Sequence, residues 1–155
     1  MTTGKLESGK RGERPIIAFQ GAYRFLSNFW PCRVKWGTEY YRSVEHAYQA
    51  AKTGSPIEQT RVQDCVTAGD AKRMGRKVTL RPDWDLDKLA VMLDLVRQKF
   101  QDPMLQRQLL FTGNAELIEG NYWHDTFWGV CNGEGENHLG KILMQVRNEL
   151  QERKP

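Results

Sequence analysis

The sequence predicts an α+β domain, mainly helical, with a few short strands. Two observations predict it. Several separate segments carry apolar residues at helical spacing, and alternating runs are short and confined to a few places. Strands and helices also fail to alternate in the βαβ rhythm that a parallel sheet requires. The chain has 155 residues, which suits one domain with a core of its own.

The elements follow in chain order. Residues 1–14 are polar, glycine-rich and basic, which predicts a flexible tail before a domain spanning 15–153. Ile16 to Phe19 is a short β-prone run. Arg33 to Tyr40 alternates and turns at Gly37, as a strand or hairpin does. Ser43 fits a helix N-cap, and Val44 to Lys52 are good helix formers. Val44, Ala47, Tyr48 and Ala51 share one face of that helix. Glu45, Gln49 and Lys52 share the adjoining face, a carboxylate, an amide and an ammonium in one line. Helices are predicted over Pro56–Cys65, Asp70–Gly75, Asp85–Phe100 and Pro103–Phe111, the last with proline in its first turn. In the third of these, Leu86, Leu89, Ala90, Leu93, Val96, Arg97 and Phe100 form the predicted inward stripe. Ala115 to Ile118 reads as a strand. Asn137 caps a last helix running to about Gln151, with Leu139, Ile142, Leu143 and Val146 facing inward.

Composition narrows the function. No apolar run approaches the ~20 residues that span a bilayer, and residues 1–14 lack the apolar stretch of a secretory signal, so a cytoplasmic protein without a membrane partner is expected. Cys32, Cys65 and Cys131 are too widely spaced for a CxxC pair, and read as reduced, mostly buried thiols. His46, His124 and His138 are scattered, so no metal site and no cofactor is expected. The net charge is +4. That is compatible with an anionic substrate and weak for a dedicated DNA-binding domain.

The candidate site residues have two readings each. Glu45 either favours the helix dipole or is a carboxylate raised in pKa by aromatic neighbours and suited to acid–base or nucleophilic work. Asp125, in Trp123-His124-Asp125-Thr126-Phe127-Trp128-Gly129, either anchors a turn or is the second carboxylate of a glycosidase pair. Lys72, Arg73, Arg76 and Lys77 are a solvated basic face or a phosphate clamp. Lys52 is a salt-bridge partner of Glu45 or an amine nucleophile. Trp84 lies outside the helical period and is a candidate pocket wall. Asn121, Asn132 and Asn137 are turn residues or ligands of ribose hydroxyls.

Several separated motifs, in register over roughly 19–150, resemble the NADAR/YbiA-like family. They are Phe25-Leu26-Ser27-Asn28-Phe29, the run Ser43 to Lys52, Gly69 to Arg76, Arg81-Pro82-Asp83-Trp84-Asp85, Lys99-Phe100, Leu109 to Gly113, Asp125 to Gly129 and Asn137 to Met144. The resemblance implies hydrolysis of N-glycosidic bonds. It implies two substrate classes: ribosylamino-pyrimidine phosphates of the early riboflavin pathway, and ADP-ribose joined to guanine in nucleic acid. It also implies Glu45, Trp84 and Asp125 as catalytic positions working at one nucleotide-sized pocket. A covalent variant of the reaction would use Lys52 or Lys72 as its amine. Lys72, Arg73 and Arg76 match a phosphate-binding motif, and Asn28, Trp128, Gly129 and Asn137 are further binding candidates. Two departures stand out: the Asn121 to His124 loop, and Phe111 where relatives carry a smaller residue. The competing expectations are a module that binds ADP-ribose or a related nucleotide without cleaving it, and, more weakly, a nucleic-acid-binding protein.

Overall fold

The structure is a computed structural model that describes residues 13–153. The predicted tail lies outside the described residues except for Glu13 and Arg14. The α+β class holds: six α-helices and four short strands are described. The chain forms two compact units, one of residues 27–102 and one joining the segment up to Leu26 with the segment from Pro103 onward.

In the 27–102 unit, strands β1 (Pro31–Trp36) and β2 (Glu39–Ser43) pair antiparallel, with Val34 opposite Tyr41. Gly37 makes the turn at φ 64°, in the left-handed region that glycine tolerates. Helices α1 (Val44–Ala51), α2 (Pro56–Gln63), α3 (Ala68–Gly75) and α4 (Trp84–Lys99) follow. Ser43, Ser55 and Thr67 each cap their helix, the side-chain oxygen accepting from the backbone N–H three residues on. The Thr67 cap starts α3 two residues before the predicted Asp70.

The inward stripe of α4 differs from the predicted one. Trp84, Val91, Met92, Leu95, Val96 and Lys99 are buried, while Leu86 is 83% exposed and Leu89 faces water. Two lysines, Lys88 and Lys99, sit on the true stripe, so polarity hid its phase. Trp84 is also not outside the helix. It is its first residue, with its ring 5.1 Å from that of Tyr48.

In the other unit, a 3-10 turn (Gly21–Leu26) is followed after Pro103 by α5 (Pro103–Phe111), the two-residue parallel strands β3 (Gly120–Asn121) and β4 (Val130–Cys131), and α6 (His138–Glu152). The runs expected as strands at 16–19 and 115–118 reduce to one parallel bridge, Ile16 with Leu117. Helix α6 buries Leu139, Ile142, Leu143 and Val146 as predicted, and also Arg147, whose Nη1 donates to Thr112 Oγ1 at 2.8 Å. Asn137 does not cap it. Its backbone is left-handed, at φ 55°, and its side chain makes no capping bond. No helix among the described residues is long and apolar enough to cross a membrane. All three cysteines are free. Only Cys131 is fully buried, Cys32 and Cys65 being half-buried.

Candidate active site

Helix α1 holds the candidate residue Glu45, and Lys52 stands at its C-cap. The N-cap is rigid: Ser43 Oγ accepts from the His46 N–H at 3.0 Å and lies 2.7 Å from His46 Nδ1. His46 Nε2 is 2.9 Å from the Cys65 carbonyl, which only accepts, so this nitrogen carries the proton. Burial pushes the His46 pKa down, and the neutral ring serves as a structural post. One residue into the helix, the Glu45 N–H donates to the Asn28 carbonyl at 3.1 Å. This pins the Ser27–Trp30 turn to the start of α1.

The predicted line of Glu45, Gln49 and Lys52 is real, with its carboxylate and amide buried and its amine half-buried. Glu45 is 8% exposed and Gln49 4%. Gln49 Nε2 donates to Glu45 Oε2 at 2.6 Å. Lys52 ends the line at the helix C-cap, its Nζ 5.6 Å from the centre of the Tyr48 ring. Its pKa is lowered, first by burial and then by Arg76, Lys88 and Lys72, with Glu45 pulling the other way. One carboxylate and three other cations therefore share the field at Lys52. A lysine so placed carries more neutral amine at a given pH than a free one.

Of the predicted clamp, Lys72 and Arg76 contribute to this field, one turn apart on α3. Arg73 lies on an exposed face and is ion-paired with Asp70. Asn28 contributes its carbonyl to Glu45, while its amide points to Met92 Sδ at 3.5 Å. Trp84 packs on Tyr48, under the Arg81 guanidinium 5.3 Å from its ring. Arg81 also closes the end of α1, its Nε donating to the Ala51 carbonyl and its backbone N–H to that of Lys52, both at 2.8 Å. Sequence reasoning did not single out Lys88, Arg81 or Tyr48. Gln49 was visible in the line but was given no role.

In the other unit, Asp125 anchors a turn. Its Oδ1 accepts from the N–H groups of Phe127 (3.1 Å) and Trp128 (2.9 Å), while Asn121 holds both its backbone N–H and its carbonyl. Among the described residues no hydrogen bond reaches its Oδ2, so the turn reading occupies only half of the carboxylate. Trp128 stacks edge-on against Phe127, with ring centres 4.8 Å apart. Gly129 is set by space: a Cβ there would collide with the Glu119 carbonyl. The Asn137 amide is fully engaged, accepting from the Glu119 N–H at 2.9 Å and donating to the Leu117 carbonyl at 3.0 Å.

The structure is a small α+β domain in which a buried carboxylate shares one cationic field with a partly desolvated amine. The chain belongs to the NADAR family, whose domain model matches residues 18–151. It is 40% identical over 149 residues to a riboflavin biosynthesis protein of Vibrio vulnificus, covering 92% of this chain but 40% of that longer one. It is 38% identical over 138 residues to an N-glycosidase of Nostoc punctiforme, covering 83% of this chain and 86% of that one. The NMR structure of the E. coli protein YbiA is similar to it, with a TM-score of 0.77 at 32% identity, covering 90% of this chain and 86% of that one.

Proposed function

We propose that this chain is an N-glycosidase. It hydrolyses the bond between C1 of a 5′-phosphorylated ribose, or of ADP-ribose, and the amino nitrogen of a base. The carrying observation is the Glu45–Gln49–Lys52 line, its carboxylate and amide buried, within the field of Lys72, Arg76 and Lys88. The names of the relatives, N-glycosidase and riboflavin biosynthesis protein, support the same chemistry.

In the reaction the C1–N bond breaks, water supplies oxygen to C1, and the base nitrogen leaves with a proton. Glu45 directs that water or protonates the leaving nitrogen. The carboxylate also stabilises the positive charge that develops on the ribose. The cations hold the phosphate. Lys52 offers a second route. Its neutral amine displaces the base nitrogen at C1, forming an imine with the opened ribose that water then hydrolyses. The family motif implies Asp125 as a second carboxylate, and its Oδ1 is committed to a turn of its own unit.

Mass-spectrometric product analysis tests the proposal, with a ribosylamino-pyrimidine phosphate and ADP-ribosylated guanine in nucleic acid run side by side. Ribose 5-phosphate or ADP-ribose should appear with the free base. Glu45→Gln should lower turnover by on the order of 10²-fold, and near-normal turnover would remove Glu45 from the mechanism. Tight calorimetric binding of ADP-ribose with no base released from either substrate would instead make the chain a binding module.

A further inference from the structure

Gly75 closes α3 in ordinary helical geometry, since no positive φ is recorded there. Conformational freedom therefore does not explain a glycine at this buried helical position, where alanine is the better helix former. Space does. A Cβ at residue 75 would overlap the side-chain amide of Gln49, and would also lie 3.0 Å from the Gln49 Cβ. The amide that bonds Glu45 thus stands in the volume that any side chain at 75 would take.

The orientation of that amide is also constrained. Nε2 meets Glu45 Oε2 at 2.6 Å, while Oε1 is buried and has no hydrogen-bond partner among the described residues. Turning the amide over would aim its oxygen at the carboxylate. The arrangement keeps a donor on Glu45.

The geometry points to Gln49, seated on Gly75, as a positioning residue for Glu45. This rests on Glu45 being the acid–base group proposed above. The amide N–H fixes the rotamer of the carboxylate and favours its charged form. Glycine at 75 lets α3, with Lys72 and Arg76, approach α1 without displacing that amide. Lys52 on α1, Lys72 and Arg76 on α3 and Lys88 on α4 bear on the same field. Glu58 on α2 is engaged by Thr53 and Thr79.

The test uses the full chain carrying Gly75→Ala, Gln49→Ala or both. It follows release of ribose 5-phosphate from a ribosylamino-pyrimidine phosphate. Each single change should lower kcat about 10–100-fold with KM within about threefold. In the Gln49→Ala background, Gly75→Ala should cost less than about threefold more, because the amide that its methyl group would overlap is gone and only the 3.0 Å approach to the Cβ of residue 49 remains. Equal losses in both backgrounds, or an unchanged kcat in Gln49→Ala, would overturn the proposal. A carbon-13 NMR titration of the Glu45 carboxyl needs no substrate. It should move to higher pH in Gln49→Ala, and an unmoved titration overturns the proposal whatever the activity. Glu45→Gln is assayed alongside. Full activity there sinks the parent reading and this one with it. A dead Glu45→Gln beside a fully active Gln49→Ala sinks the positioning role alone.

Discussion

Lys99 offers a test of the energetics of the 27–102 unit. Its side chain is 2% exposed, and its Nζ donates to the Ser27 carbonyl at 2.8 Å. Burial lowers its pKa from 10.5 to about 8, with the nearby Cys32 pulling weakly upward. The folded-state value lies below the unfolded one, so between pH 8 and 10.5 the unfolded chain binds a proton that the folded chain does not. Stability from this group therefore rises with pH, and the penalty is fully present below pH 8. At 1.36 kcal/mol per pH unit, the span from about 8 to 10.5 is worth about 3 kcal/mol. Lys99→Met keeps a long unbranched side chain and removes the titration. It leaves the Ser27 carbonyl unpaired, but that cost does not vary with pH. Urea unfolding of both proteins, each in a Cys32→Ser background, measures their stability difference from pH 7 to pH 10. Wild type should gain on the variant as pH rises, by most of the 3 kcal/mol. A flat difference would mean that the lysine is not desolvated when folded, and a falling one would reverse the sign of the argument.

Three further outcomes follow. Ser43→Ala removes the cap of α1 and the partner of His46 Nδ1, and should cost about 1–3 kcal/mol in urea unfolding, with the loss concentrated in exchange protection of α1 amides. Asn137→Ala should destabilise more than Asn137→Gly, because both lose the two backbone bonds but only alanine is strained at φ 55°. Lost activity at unchanged stability would instead give Asn137 a role with substrate. If Lys52 attacks C1, borohydride should trap a reductive adduct in wild type and none in Lys52→Met, and kcat should rise with pH through a range below that of free lysine. A single pH-independent rate with no adduct would leave only the carboxylate route.

How much the sequence shows depends on where the interactions lie. The α1 line was legible because it needs only helical periodicity, and the Ser43 cap because it is a local rule. The stripe of α4 was not, since Lys88 and Lys99 occupy inward positions and a polarity count places them outside. The burial of Lys99 depends on a partner far along the chain, the Ser27 carbonyl 72 residues away. Asn137 failed in the same way. It stands where a cap belongs, yet its amide serves Leu117 and Glu119, so the local rule lost to a nonlocal one.

Gly75 shows the general limit. From sequence it is a helix terminator, and the helix does end there. The reason for a glycine is the Gln49 amide on another helix, which no spacing rule within α3 contains. Local chemistry could propose Glu45, Lys52, Lys72 and Arg76 one by one. That they bear on a single field depends on how closely α3 approaches α1, and at Gly75 the Gln49 side chain stands where a Cβ would go. The sequence-level line of Glu45, Gln49 and Lys52 therefore holds a group of each kind, and Gln49, the residue first passed over, is the one that ties the carboxylate to the packing of the basic helix.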